Sequence, residues 1–247
     1  MSPVYFCFQS QNAERVTLQM SYLGVIPARK GSKGIPNKNL VFLSGKPLLQ
    51  YTIEAASNSR LLDRIILTSD SLEMIKLAST FPRVEAPFVR PSNLAEDNSS
   101  QVDVVLHLLG WLKTEHSMNF DNIVLLQPTS PFRTSEDIDS AIQGHKCGRC
   151  LVGVSDVLQH PCEMISEEQP IRYAVEPQKE GRQFFPMYKF INGAIYITPV
   201  SFLSKEGAFY PRHDFDLFNM DRKKGMDIDD AFQLRLAEGI SDYEYKM

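Results

Sequence analysis

The sequence predicts an α/β fold: a mostly parallel sheet with helices on both faces. Three observations predict it. Short apolar runs alternate with stretches of helical period through the first two thirds of the chain. The runs are continuous rather than alternating, as strands buried on both faces should be. The best of them also give way at once to polar clusters. Open α/β sheets bind ligands beyond the carboxyl ends of their strands, so those clusters stand where chemistry is expected.

Taken in order, YLGVIP (22–27) is the first buried strand. Residues 47–59 have helical spacing at Leu48, Leu49, Ile53 and Ala56. RIILTS (64–69) is a second strand, and 71–80 a helix with Leu72, Ile75 and Leu77 inward. VEAPFV (84–89) is a poorer third strand. Residues 100–115 form a helix on Val104, Val105, Leu108 and Trp111. NIVLLQ (122–127) is a strongly apolar strand ended by Pro128. SEDIDSAI opens another helix, with Ser135 as its N-cap. After LVGVS (151–155), residues 156–189 turn rich in Pro, Gln, Glu and charge, an excursion from the sheet. FINGAIYIT (190–198) returns, followed by MDRKKGMDIDD and a final helix to about residue 239. Residues 1–20 match no periodic element and read as an extension, leaving 21–247 as the folded domain.

Length and composition agree with one large globular α/β domain: 247 residues, 43% hydrophobic and 23% charged. A net charge of −4 argues against a nucleic-acid partner, since phosphate backbones want a basic footprint. No apolar run approaches the roughly 20 residues that span a bilayer. The first 20 residues lack the basic and apolar regions of a secretory signal, and with only four cysteines a cytoplasmic protein is expected. Cys147 and Cys150 form a CxxC that closes a helix rather than opening one, and no second pair completes a zinc site. They read as ordinary thiols.

Three clusters carry chemistry. Ala28 to Asn39, ARKGSKGIPNKN, follows the first strand with four cations, Arg29, Lys30, Lys33 and Lys38, and two glycines, Gly31 and Gly34. Glycines let a backbone approach a ligand closely, so the cluster reads as a polyphosphate cradle. It is neither a Walker A motif nor a dinucleotide fingerprint. Gln127 to Arg133, QPTSPFR, follows the strongest strand, and its two prolines preorganise the loop. Asp227 and Asp229 lie at i and i+2, which puts two hard oxygen ligands on one side of an extended segment, as Mg²⁺ favours. Asp230 reads as a helix-start residue. The five histidines share no triad spacing and no nucleophile elbow is present.

In chain order, IPARKGSKGIPNKNL, TSD, RPSNLAEDNSS, LLQPTSPFRT, NGAIYI and MDIDD resemble the acylneuraminate (CMP-sialic acid) cytidylyltransferases over about residues 21–240. The GSKGIPNKN form is similar to the sialate, legionaminate and pseudaminate branch rather than to the Kdo enzymes. The resemblance implies a Rossmann-like, glycosyltransferase-A-like nucleotidyltransferase fold. It also implies a homodimer whose partner reaches across through 156–189. The implied reaction is Mg²⁺-dependent transfer of CMP from CTP to a nine-carbon sugar acid. By position, Arg29, Ser32, Lys33, Lys38 and Asn39 would hold CTP, together with Ala28, Gly31 and Asp97. Lys33, Arg29 and Asp229 would be catalytic, and Asp227 and Asp229 would hold the metal. Gln127 and Ser130 would contact the sugar, and Arg182, Gln183, Asn192 and Tyr196 would line its pocket. The chain departs from the family in having Phe132 where Leu is common, and Lys189 where an Arg often stands near NGAIY. Competing expectations are a cytidylyltransferase for Kdo or another sugar nucleotidyltransferase acting on a sugar 1-phosphate, a non-catalytic nucleotide-binding regulatory module, and a reductase, the last disfavoured by the missing fingerprint.

Overall fold

The structure, a computed structural model, describes residues 20–167, 169–179 and 181–245. The expected extension therefore lies almost wholly outside the described residues. The core is a seven-stranded sheet in the order β11-β7-β10-β6-β1-β4-β5. Its strands are β1 (Tyr22–Pro27), β4 (Arg64–Thr68), β5 (Val84–Glu85), β6 (Asn122–Leu125), β7 (Leu151–Asp156), β10 (Lys189–Pro199) and β11 (Asp216–Asn219). Two small hairpins stand apart, β2 (Phe42–Leu43) with β3 (Lys46–Pro47), and β8 (Ile165–Ser166) with β9 (Arg172–Tyr173). The helices are α1 (Leu48–Asn58), α2 (Leu72–Ala78), α3 (Gln101–His116), α4 (Ser135–Gly144), α5 (Val200–Glu206) and α6 (Ala231–Tyr245).

β1 explains why the sheet strands read as continuous apolar runs. Tyr22 and Ile26 face a core with Leu49 and Ile53 of α1, Met74 of α2 and Ile138 of α4. Leu23 and Val25 face a second core with Val105 and Leu108 of α3 and Leu203 of α5. Both faces are covered, so no position is left for a polar residue. β1 is also central: Val25 pairs with Ile66 of β4 on one side and Leu125 of β6 on the other, both parallel.

The sheet is mostly parallel, as expected, with β10 running antiparallel to both β6 and β7. Several other readings need correction. The third strand shrinks to Val84–Glu85, with Val89 held only by a bridge to Ser69. Leu72 is exposed, and Met74 and Ala78 bury the helix instead. α4 is capped by Thr134, not Ser135. Asp137 completes a capping box, and two reciprocal bonds outcompete a single serine. β11 was not foreseen; it adds in parallel to β7 at the sheet edge, where neighbours on one side suffice. Cys150 is a buried free thiol pushed up to about 11 by burial, but Cys147 is disulfide-bonded, against the expectation of two ordinary thiols. No helix among the described residues is long and apolar enough to cross a membrane.

Between β7 and β10 the chain leaves the sheet. It forms little regular structure beyond the β8–β9 hairpin and leaves large apolar side chains in solvent, Leu158 at 75% and Met187 at 91% exposure among them.

Candidate functional site

The chain order across the sheet reverses between β1 and β6: β4 and β5 lie to one side of β1, and β6 with the later strands to the other. At such a switch point the connections diverge and leave a crevice at the carboxyl ends. A cavity of about 650 Å³ opens there. Arg29, Gly31, Ser32, Lys33, Lys38, Asn39, Arg90, Asp97, Gln127, Thr129, Asp227 and Asp229 are among the residues that line it.

The loop after β1 has no regular structure but is held at many points. Ala28 N donates to Thr68 O at 3.0 Å, and Lys30 N to Asp70 Oδ1 at 2.8 Å. Asn39 Nδ2 donates to Arg29 O at 3.0 Å, and Ser32 Oγ donates to Ile35 O. The loop then runs against the acidic segment. A Cβ at Gly34 would collide with the Asp229 carbonyl oxygen, so the close approach requires glycine. Lys38 Nζ reaches Asp229 Oδ1 at 2.8 Å. Arg29 Nη1 lies 2.6 Å from Asp97 Oδ1, and Lys33 Nζ lies 3.7 Å from Asp97 Oδ2.

Ile228 seats the acidic segment. Its side chain is fully buried beside Leu43, Leu48 and Ala237, and its N–H donates to Thr129 O at 2.9 Å. Asp227 and Asp229 flank it, and both line the cavity. Burial, then the nearby Asp229 carboxylate, pushes Asp227 up to about 6 against the pull of its Thr129 hydrogen bond. Its Oδ1 is buried without a hydrogen-bond partner among the described residues. Asp230 is the helix-start residue that the sequence suggests: its Oδ1 accepts from Gln233 N at 2.8 Å, while Gln233 Oε1 accepts from Asp229 N at 2.6 Å.

Under the loop after β6 sits Arg133, only 2% exposed. It donates to Ala194 O at 2.6 Å, Thr52 Oγ1 at 2.6 Å and Gln127 O at 3.2 Å. Burial without a carboxylate partner at bonding distance pulls it down to about 9. It ties the loop to β10, where the pairing with β7 slips between Ile191 and Tyr196. Gly193 in that bulge has φ +75°, and a Cβ there would lie 2.6 Å from Gln127 Oε1. Gln127 Nε2 in turn donates to Gln101 Oε1 at 3.1 Å.

Two groups escaped the residue-level reading. Arg90 is a buried cation in the cavity wall, bonded to Thr68 and pulled down to about 10 by burial. Its signal was present, as the first residue of RPSNLAEDNSS. Arg133 likewise ends QPTSPFR.

Other expected residues stand away from the cavity wall. Ala28 and Ser130 are completely buried. Asn192 is spent inside, donating to Ser155 Oγ at 3.0 Å and accepting from Ala194 N at 3.1 Å. Tyr196 stacks on Tyr210 with centroids 6.0 Å apart, and burial pushes it up to about 12. Arg182 and Gln183 lie on an exposed turn of the excursion, with Arg182 Nε 2.7 Å from Glu163 Oε1. The chain does not bring those two to the cavity, because the excursion leads them off the sheet.

Comparison with known proteins follows the same lines. A model of the cytidylyltransferase family matches residues 23–178. The CMP-N,N'-diacetyllegionaminic acid synthase of Legionella pneumophila subsp. pneumophila is 33% identical over 231 residues, 90% of this chain and 97% of that protein. The N-acylneuraminate cytidylyltransferase of Escherichia coli O18:K1:H7 is 32% identical over 232 residues, but this chain spans only 52% of its length. Among solved structures, CMP:2-keto-3-deoxy-manno-octonic acid synthetase complexed with CTP superposes with a TM-score of 0.65 over 91% of this chain and 99% of that one. At 17% identity that last likeness is one of fold. The match of family model, relatives and sheet places this chain in the cytidylyltransferase family of nucleotidyltransferases.

Proposed function

We propose that this chain transfers the CMP group of CTP to the anomeric hydroxyl of a nine-carbon sugar acid, a nonulosonic acid, and releases pyrophosphate. One observation carries the reading. Lys38 and Asp229, 191 residues apart, are bonded to each other in the wall of one cavity. A polyphosphate cradle and a carboxylate pair thus face the same ligand. The named products of the relatives, CMP-legionaminic acid above all, support the acceptor class.

In the reaction, the anomeric oxygen attacks the α-phosphorus and the bond to the α–β bridging oxygen breaks. The hydroxyl proton passes to a base, and pyrophosphate departs. Nothing covalent is asked of the protein, so alignment and charge do the catalysis. Arg29 and Lys33 face the phosphate tail, while the backbone of Gly31 and Ser32 borders it. Asn39 and Ala28 act by holding the loop. Asp229, largely solvent-facing, is placed to take the hydroxyl proton. Gln127 lies on the acceptor side, with Ser130, Asn192 and Tyr196 supporting that wall from below.

Asp227 and Asp229 fit Mg²⁺, since the orphaned, buried Asp227 Oδ1 is a hard oxygen without a protein partner among the described residues. Asp227 and Asp229 would hold such an ion, which would supply Lewis-acid stabilisation of the charge that develops on the phosphates. Arg182 and Gln183 serve an acceptor pocket only if it belongs to a second copy of the chain. We therefore propose a homodimer through the excursion, whose exposed apolar side chains support it.

The test is pyrophosphate release from CTP with Mg²⁺ and a panel of sialic, legionaminic, pseudaminic and 3-deoxy-octulosonic acids. The reading predicts release with a nine-carbon acid. Binding of CTP without release on any member of the panel would overturn it in favour of a non-catalytic module.

A further inference from the structure

A cavity that is to receive a triphosphate contains a carboxylate in the wrong place. Asp97 stands among the cations, not beside the aspartate pair. Its two oxygens are divided between the two cations of the phosphate loop, Oδ1 at 2.6 Å from Arg29 Nη1 and Oδ2 at 3.7 Å from Lys33 Nζ. Two oxygens of a phosphate group would engage the same pair in the same way. Asp97 comes from a separate segment, 68 residues on from Arg29, between β5 and α3. That segment is internally braced: Ala95 N donates to Ser92 O at 3.0 Å, Ser99 N to Glu96 O at 3.1 Å, and Ser99 Oγ to Asn93 O at 3.0 Å. The side chain is therefore delivered on a braced support, yet it stays half exposed.

We infer that Asp97 is an internal stand-in for the phosphate tail, which the nucleotide must displace, rather than a ligand of the nucleotide. The inference rests on the cytidylyltransferase reading. Without a ligand, Arg29 stands against the nearby buried Arg90, whose positive charge it disfavours. Asp97 offsets that repulsion and keeps the loop assembled. When a polyphosphate arrives, like charge excludes the carboxylate, and the cations exchange one anion for another. The exchange costs affinity for every tail that binds there. It weakens pyrophosphate, which has only tail contacts, and so favours release of that product. Asp97 thereby sets which phosphate chains are retained: a whole triphosphate nucleotide overcomes the competition more readily than free pyrophosphate does.

Titration calorimetry on the full chain with inorganic pyrophosphate, CTP and CMP tests this, comparing the wild type with Asp97→Asn and Asp97→Glu. An exposed ion pair contributes modestly, so Asp97→Asn is expected to tighten pyrophosphate and CTP about three- to tenfold. Asp97→Glu keeps the competing charge and should stay near the wild type. In steady state, Asp97→Asn should lower the KM for CTP and strengthen product inhibition by pyrophosphate. If Asp97→Asn weakens CTP while leaving pyrophosphate unchanged, Asp97 is a nucleotide ligand and the stand-in role is overturned. Unchanged affinities for both overturn it as well. A wild-type chain that binds neither CTP nor pyrophosphate overturns the cytidylyltransferase reading, and this inference with it.

Discussion

The mouth of the sheet and the excursion between β7 and β10 are both irregular, charged stretches of sequence, yet they are built differently. At the mouth every irregular segment is fastened to the core. Ala28, Ile228 and Arg133 are buried, and they fix the phosphate loop, the aspartate segment and the loop after β6. The excursion has almost no core of its own. Leu158, Ile165, Ile171, Phe184 and Met187 are all more than half exposed. A site that must hold charged groups at fixed distances before any ligand arrives is anchored to the sheet, where packing does not yield. The unburied apolar side chains of the excursion are the surface that the proposed homodimer would cover.

Four measurements sharpen or break that contrast. The largest effect is expected at the mouth. Asp227→Asn takes away the proposed metal ligand with little change of shape, and should lower turnover on the order of 10²- to 10³-fold with an unchanged circular dichroism spectrum. Retained turnover would detach the aspartate pair from the chemistry. Next comes the excursion. Met187→Asp puts a charge on the exposed apolar face and should weaken self-association about thirtyfold or more by sedimentation, while leaving monomer stability nearly unaltered. A variant that stays dimeric would move the interface elsewhere.

The third effect depends on pH. Asp227 is raised to about 6, so it takes up a proton as pH falls through 6, and proton and metal compete for it. Affinity for Mn²⁺ should drop about tenfold per pH unit below that point. The sign for stability is opposite. With a folded pKa above the unfolded one, Asp227 contributes stability below the ordinary carboxylate range and loses it as pH rises through 6. In the metal-free chain, Asp227→Asn should flatten that part of the Tm–pH curve. The smallest effect is Arg182→Ala. Arg182 is 81% exposed and pairs with the surface carboxylate of Glu163, so stability should change by no more than about 0.5 kcal/mol. If a partner's pocket uses it, the KM for the sugar acid rises while that for CTP does not.

Strand β1, the cationic loop and the paired aspartates were legible because each is written locally. Apolar runs mark buried strands, glycines mark close approach, and carboxylates at i and i+2 share a side. Thr134 displaced Ser135 as a cap because a capping box joins two side chains, Thr134 and Asp137, reciprocally to each other's backbone N–H. Leu72 proved exposed because a helical period does not say which of two near-equal faces meets the sheet. The reversal of β10 was equally out of reach, since an apolar run carries no direction.

By itself, then, the sequence determined the α/β class and singled out the cationic loop of residues 28–39 and the pair Asp227 and Asp229, all patterns among neighbouring residues. Only the tertiary structure decided that Lys38 meets Asp229, that Asp97 occupies the cations, that Arg133 braces the loop from below, and that Arg182 lies away from the cavity. Each of these joins segments far apart along the chain, and such distances are set by the order and direction of strands in the sheet rather than by any local preference.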